Sequence, residues 1–320
     1  MAGVTPQSQS ESPLPATRAG GGALQRFNLN NQRGLGLLLT VPTLIAIFGV
    51  VLVPFFSSLW LSLQRRDIGR PQTDAFIGLG NYAHLLQDDR FLSSLRITLG
   101  FSLISVIFEL ILGVAIALVL NQQFKGRGFV RGLIILPWAL PSIVNAAMWH
   151  WIYNADYGAL NALLTQLGLI DSYQVWLAHP TSARALIILA NVWKETPFTV
   201  LLVLAALQGI PKDFYEAATV DGASAWQRFT KITLRLLTPV IMVIGFLQML
   251  WGIQTFELVY VVTGGGPASS TELLSLRIYT QTFRSLRFGY GAAMAYLTGL
   301  IVLIPALLYI RAAYRSIVEY

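Results

Sequence analysis

Cysteine is absent from the chain, which excludes disulfides and thiolate metal sites. Charge is scarce as well. Asp, Glu, Lys and Arg make up 12% of the 320 residues and hydrophobic residues 55%, whereas a soluble domain is about 25% charged. A chain this poor in charge cannot cover itself with a water-facing surface and demands lipid. Histidine is limited to His84, His150 and His179, scattered without metal-ligand spacing, so interfacial or structural roles are expected. No GxxxxGK[ST] run occurs, so the chain has no evident phosphate loop for hydrolysing ATP. Nor is there the clustered nucleophile that a membrane-embedded enzyme would need. The net charge of +7, in so apolar a chain, points to basic cytoplasmic loops rather than to nucleic acid.

What is present is length and apolarity in repeated runs. A helix needs about 20 apolar residues to cross a bilayer, and six runs meet this: Gly34 to Leu63, Ile97 to Leu120, Gly132 to Asn154, Ala185 to Gly209, Leu236 to Val262 and Phe288 to Ile310. The expectation is an all-α polytopic membrane protein with six transmembrane helices. Prolines 42, 54, 137, 141, 197 and 305 fall inside the runs, where packed neighbours can satisfy the freed carbonyls. Residues 1–33, rich in Ser, Pro, Gly, Gln and Thr, are expected to be a disordered cytoplasmic tail. The six-helix transmembrane domain then spans 34–313, and 314–320 form a cytoplasmic C-terminus. The loop Asn121 to Arg131 carries Lys125, Arg127 and Arg131 without an acid, while Ala155 to Ala183 carries Asp156 and Asp171 without a base. The first is therefore expected inside and the second outside. With six spans, both termini are inside. The remaining flanks decide little: twelve Lys/Arg fall on the predicted inside and nine on the outside. Residues 65–96, with an amphipathic stretch near Asn81 to Leu86, are expected on the outer face.

One segment between spans is different. Ile210 to Pro239 reads IPKDFYEAATVDGASAWQRFTKITLRLLTP, with four basic and three acidic residues around Gly222. Helix-favouring residues from Asp213 to Thr219 and from Ala225 to Leu237 predict two short helices about a glycine turn. The small side chains of Ala217, Ala218 and Ala223 would let another protein approach the first helix closely.

Glu216-Ala217-Ala218, Asp221-Gly222-Ala223, Phe229 and Ile232-Thr233-Leu234 closely resemble the EAA loop of ABC importer permeases. In that family the loop is a cytoplasmic coupling helix that docks into the ATP-hydrolysing subunit. The family usually has Pro after Ile-x-Leu, where this chain has Arg235. Phe76-Ile77-Gly78-Leu79-Gly80-Asn81-Tyr82, Leu136-Pro137-Trp138-Ala139-Leu140-Pro141-Ser142, Trp151-Ile152-Tyr153-Asn154, Trp193-Lys194-Glu195-Thr196-Pro197-Phe198 and Thr263-Gly264-Gly265-Gly266-Pro267 resemble the carbohydrate class, nearest the maltose-permease-like subunit. The resemblance implies the type I ABC importer permease fold in a bacterial or archaeal inner membrane. It also implies a second homologous permease subunit, two ATP-binding subunits and an extracytoplasmic solute-binding protein, with ATP and Mg on the partner ATPase and no cofactor in this chain.

For the solute path, polar groups inside spans usually face a bundle interior or a water-filled cavity. Gln248, Gly252 and Thr255 are spaced four and three apart on one helical face, with Trp251 beside them. Asn191, Lys194 and Glu195 share a face by the same spacing, and Trp138 and Ser142 are four apart. Amides bind hydroxyls and aromatic faces stack on sugar rings. Interhelical hydrogen bonding and aromatic packing would use the same residues. The resemblance assigns solute contacts to these three spans. Among the residues so placed, Ser142 and Asn191 keep a family-typical polar residue, and Lys194-Glu195 is the clearest departure. Adjacent residues point about 100° apart on a helix, so the Lys194 and Glu195 charges are not expected to neutralise each other. Glu109 and Glu257 are read as interhelical hydrogen-bond or gate groups. A sugar, oligosaccharide or sugar-like osmolyte is the expected solute and glycerol phosphate the alternative. An ion-coupled secondary transporter would also carry intramembrane acids, but it would not need the EAA-type loop.

Overall fold

The computed structural model describes residues 32–318; most of the expected N-terminal tail lies outside the described residues. The chain is helical almost throughout. Its only sheet among the described residues is a two-stranded antiparallel ladder. It divides into two compact units, residues 1–57 and 58–320. In the first lie α1 (Gln32–Ile47), a wide π-type turn at Phe48–Leu52 and the start of α2 (Val53–Ser62). Together Leu39–Ser62 form a helix long and apolar enough to span a membrane.

The second unit opens with the short strands β1 (Gln64–Arg65) and β2 (Ala75–Phe76), then α3 (Gly80–Leu86) where the amphipathic stretch was expected. Asp88 caps α4 (Asp89–Asn121), accepting from the N–H groups of Arg90 and Phe91 at 2.9 and 3.2 Å. A carboxylate there satisfies orphan donors of the first turn. There follow α5 (Arg127–Ala139), α6 (Ser142–Ile152), α7 (Ala159–Gln166) and α8 (Pro180–Gln208). After the coupling-type loop come α9 (Asp213–Val220), α10 (Ala225–Arg228) and α11 (Leu234–Gln254), then α12 (Glu257–Val262), α13 (Leu274–Tyr279) and α14 (Phe288–Val318).

Among the described residues four helices are long and apolar enough to cross a membrane unbroken: Leu39–Ser62, Asp89–Asn121, Pro180–Gln208 and Ala225–Gln254. Two of the six expected runs are not straight. The third breaks into α5 and α6 with a 93° bend. Leu140 lies extended (φ −70, ψ 136) because the residue before a proline is pushed out of the α region, and Pro141 itself has no N–H to continue the ladder. The fifth run stops at Gln254, and Thr255 and Phe256 separate it from the short α12. The sixth run lies within α14, whose apolar stretch covers Phe288–Ile304.

In the second unit the central crossing is α4 against α8. It is close because Gly113 has no side chain: a Cβ there would sit 2.3 Å from Thr199 Cγ2. Small residues play this part in membrane helix pairs because lipid offers no competing hydrophobic drive. Gly252 does the same on α11, where a Cβ would meet Ser102 at 2.9 Å. One apolar core centres on Phe101, Ile187, Leu258 and Leu276; another centres on Leu120, Val200, Leu237 and Ile244.

Candidate functional site

Between these two cores, α4 turns polar. Ser94, Thr98, Ser102, Ser105 and Glu109 are all buried, spaced three or four apart and therefore on one face. Facing them, α8, α11 and α6 contribute Asn191, Gln248 and Asn145, each buried. A cavity of about 220 Å³ opens beside this seam.

Of the nine residues predicted for the solute path, eight line that cavity: Ser142, Asn191, Lys194, Glu195, Gln248, Trp251, Gly252 and Thr255. Trp138 does not. It stacks on Phe198 (centroids 5.9 Å apart), which in turn packs edge-on against Trp251 at 4.7 Å. Trp138 and Ser142 were expected to share one helical face, but the break at Leu140–Pro141 puts them on separate helices, so four-residue spacing carries no facial meaning there. Sequence spacing also missed Asn145, Gln254, Glu257 and Leu258, which complete the wall. Asn145 was findable, because it lies three residues after Ser142 on α6. Glu257 follows the helix break after Gln254 and had no periodic signal. It lines the cavity.

The hydrogen bonds fix how the amides are presented. Gln248 Nε2 donates to the Glu195 carbonyl oxygen at 3.1 Å and to Thr199 Oγ1 at 3.3 Å. A backbone carbonyl only accepts, so the NH₂ end must face it and the Oε1 end is turned away; Oε1 has no protein partner. Asn191 Nδ2 donates to Glu109 Oε1 at 2.9 Å, leaving Asn191 Oδ1 as the free end. Asn145 Oδ1 is also without a partner. Two of the amide oxygens, on Gln248 and Asn145, are thus buried and unpartnered beside the wall. Glu109, 1% exposed, is the interhelical hydrogen-bond group expected of it, bridging α4 to α8. The Lys194–Glu195 expectation fails: Lys194 Nζ meets Glu195 Oε1 at 3.0 Å. Side-chain directions diverge at Cβ, but four methylenes let the ammonium curl back to its neighbour. The single cation of the wall is thereby neutralised.

The coupling-type loop is built by two capping devices. At the end of α9 the Ala223 N–H bonds the Ala218 carbonyl at 2.9 Å and the Gly222 N–H bonds that of Thr219 at 3.1 Å. This is a Schellman motif with Gly222 left-handed at φ +73. Ser224 then forms a capping box with Gln227, which starts the next helix. That helix does not stop. Through a π-type turn at Phe229–Thr233 it continues into α11, so Ala225–Gln254 is one 30-residue helix. The expectation of a second short helix is corrected: the capping box fixes a start, and no glycine or proline between Ala225 and Leu237 supplies a stop. Tyr215 Oη and Thr233 Oγ1 meet at 3.0 Å, and Arg228 Nη1 donates to Thr219 Oγ1 at 2.8 Å, pinning the two arms together. Glu216, Ala217, Asp221 and Gly222 are exposed, Ala218 and Ala223 half-buried. Glu216 lies in a shallow concavity with Lys212, Tyr215, Thr219 and Val220, and Val220 and Trp226 are 88% and 71% exposed beside it. Among the described residues nothing covers Val220 and Trp226.

Comparison with known proteins agrees with this architecture. Residues 109–317 match the family described as the binding-protein-dependent transport system inner membrane component. The trehalose/maltose transport system permease protein MalF of Thermococcus litoralis is 41% identical over 87% of this chain and 92% of its own length. The trehalose transport system permease protein SugA of Mycobacterium tuberculosis is 35% identical over 88% and 89%. The sulfoquinovosyl glycerol transport system permease protein SmoG of Agrobacterium fabrum is 34% identical over 90% and 91%. Among solved structures, a chain of a bacterial alginate ABC transporter in complex with an alginate-pentasaccharide-bound periplasmic protein superposes with a TM-score of 0.76 at 24% identity. The match covers 91% of this chain and 98% of that one. Its fold is the type I ABC importer permease fold. With the match covering most of the chain and several relatives above 30% identity along nearly its whole length, this chain belongs to the inner membrane components of binding-protein-dependent transport systems.

Proposed function

We propose that the chain is one of two permease subunits of an ABC importer and passes a neutral, hydroxyl-rich solute of the sugar or oligosaccharide class. The observation that carries this reading is a polar cavity with no unpaired cation: Ser142, Asn145, Asn191, Gln248, Gln254 and Thr255 line it, and its one lysine is paired with Glu195. Hydroxyls and amides of such a wall exchange hydrogen bonds with a neutral polyhydroxylated solute, whereas a phosphate would find no unneutralised cation to balance its charge. That favours a sugar over glycerol phosphate, and the sugar names borne by the relatives support it. Solute would arrive from an extracytoplasmic binding protein, and ATP with Mg would act on two partner subunits at the cytoplasmic side, where the coupling loop and both termini lie. Glu216 and the apolar ledge at Val220 and Trp226 form the docking face. Motion of that face reaches the cavity along one continuous helix, roughly 45 Å for thirty residues, ending at Gln248, Gly252 and Thr255.

The test is uptake into proteoliposomes holding the assembled importer with its binding protein, comparing trehalose, maltose and glycerol 3-phosphate. Saturable ATP-driven sugar uptake uncompeted by glycerol 3-phosphate is expected. Preferential uptake of the phosphate would overturn the reading.

A further inference from the structure

The end of the bundle opposite the coupling loop carries more arginine than its side of the membrane explains. With the coupling loop cytoplasmic, this is the face where Lys and Arg should be few. Several of its arginines have work within the fold: Arg277 pairs with Asp88, Arg184 donates to the Ser270 carbonyl, and Arg284 lies over Tyr260. Four of the others, Arg65, Arg66, Arg70 and Arg287, converge on one concavity of about 430 Å³. Arg66 is paired with Asp74 at 3.1 Å. The other three make no ion pair among the described residues. The one carboxylate in the wall is Asp67, whose Oδ1 accepts from the Gly69 N–H at 3.0 Å.

The cup is held rigidly. Asn81, 7% exposed, donates to the carbonyls of Ser62 and Gln64, both at 2.8 Å. Arg65 sits in the β1–β2 ladder opposite Ala75, and Asp67 and Arg287 form a backbone bridge. Gly289 packs so closely that a Cβ would lie 2.0 Å from the Gln64 carbonyl oxygen. Its depth is fixed by the chain: Arg65 stands three residues beyond the end of the first apolar span at Ser62, and Arg287 immediately precedes α14. That is headgroup level. At the same level Trp60 and Phe76 stack at 5.4 Å, 58% and 62% exposed, and Leu79 is 71% exposed. Indole and phenyl rings at such a depth mark the membrane–water boundary.

We propose that this cup binds the phosphate of an anionic phospholipid in the leaflet opposite the coupling loop, with the acyl chains against Trp60, Phe76 and Leu79. Guanidinium forks match phosphate oxygens in geometry and charge. A soluble anion would need the arginines but not the apolar rim. The acidic surface of a docking protein would not require a site set at the end of two spans.

The assembled importer in detergent is mixed with phosphatidylglycerol or phosphatidylcholine of identical acyl chains, and retained lipid is counted by native mass spectrometry. A third arm adds inorganic phosphate at millimolar concentration. Wild type should retain phosphatidylglycerol at least tenfold better than phosphatidylcholine, and phosphate should not displace it. Each arginine removed should weaken retention roughly fivefold, so Arg65→Gln/Arg70→Gln/Arg287→Gln should lose the preference. Arg70→Glu alone, exposed and unpaired, should reduce it even if the triple variant fails to assemble. Equal retention of the two lipids, or a preference that survives in Arg70→Glu, overturns the proposal. Displacement by inorganic phosphate would make the cup a soluble-anion site. Loss of binding-protein docking with lipid preference intact would make it a protein-docking surface. Either result overturns it as well.

Discussion

At the level of single side chains, the cavity separates residues that present acceptors from residues that hold the presenters in place. Asn191→Ala and Asn145→Ala each remove an amide from the cavity wall. Losing one hydrogen bond to a buried hydroxyl costs about 1–3 kcal/mol, so KM for uptake should rise roughly tenfold to a hundredfold with assembly intact. Unchanged kinetics in both variants would assign these amides to helix packing alone. Glu109 acts one step back. Glu109→Gln keeps an oxygen for the Asn191 amide and should transport nearly as wild type. Glu109→Leu frees that amide to rotate and should raise KM without lowering the yield of complex. Equal behaviour of the two variants would show that orientation of Asn191 is not the issue. The Lys194–Glu195 pair, at 3.0 Å, makes a sharper statement about selectivity. Glu195→Gln leaves the ammonium unneutralised at the cavity wall, and glycerol 3-phosphate should begin to compete with sugar uptake. Lys194→Met/Glu195→Gln restores neutrality and should abolish that competition. If the single variant excludes the phosphate as fully as wild type, the pair has no part in selection.

At the scale of elements, the mechanical part is the capped turn and the long helix behind it. Gly222 at φ +73 has open space around its Cβ position, so a substitution there is opposed by backbone strain and not by a clash. An L-residue in this conformation costs roughly 1–2 kcal/mol, and a β-branched one more. Gly222→Val should undo the Schellman turn and uncouple solute-stimulated ATP hydrolysis from uptake while the spans still insert. Normal stimulation in that variant would remove the turn from the coupling path. What the sequence made legible here follows from periodicity. Asn191 with Glu195, and Gln248 with Gly252, are spaced four apart within unbroken helices, so their shared face was readable. Trp138 and Ser142 have the same spacing, but Pro141 intervenes, and spacing across a break predicts nothing. Continuity into α11 was hidden for another reason: the charges at Lys231 and Arg235 set Ala225 to Leu237 apart from the apolar run as a separate short helix, although charged residues are good helix formers and do not interrupt one. The curl of Lys194 onto Glu195 was not legible at all, because it depends on rotamers and not on helical phase.

At the scale of the whole permease unit, the end remote from the coupling loop is latched by one ionic cluster. Arg277, 4% exposed, reaches Asp88 Oδ2 at 3.0 Å and Glu272 at 3.5 Å, and Tyr290 donates to the same Asp88 oxygen at 2.7 Å. The start of α4, α13 and the start of α14 are joined through a single carboxylate that also caps α4. Burial pushes the Asp88 carboxyl up, but hydrogen bonds from Tyr290, Arg277 and the Phe91 N–H, with the Arg277 charge, outweigh it and hold the group below its usual value of 3.8. A carboxyl whose folded value is depressed stabilises the fold above its unfolded value and loses that contribution as pH falls through the folded one. The latch should therefore be intact at pH 5 and above and begin to fail only below pH 3.8. Asp88→Ala removes the nearer of the two carboxylates on a buried guanidinium, leaving Glu272 at 3.5 Å, and removes a cap, a loss on the order of 1–3 kcal/mol. The thermal midpoint of the purified complex should fall clearly, and it should no longer show wild type's drop below pH 3.8. Asp88→Asn, which can still accept from Tyr290 and the helix N–H groups, should lie between the two. A midpoint in Asp88→Ala equal to wild type at pH 7 would mean that the apolar packing of Leu85, Phe91, Leu274 and Met294 holds this end of the bundle without the latch.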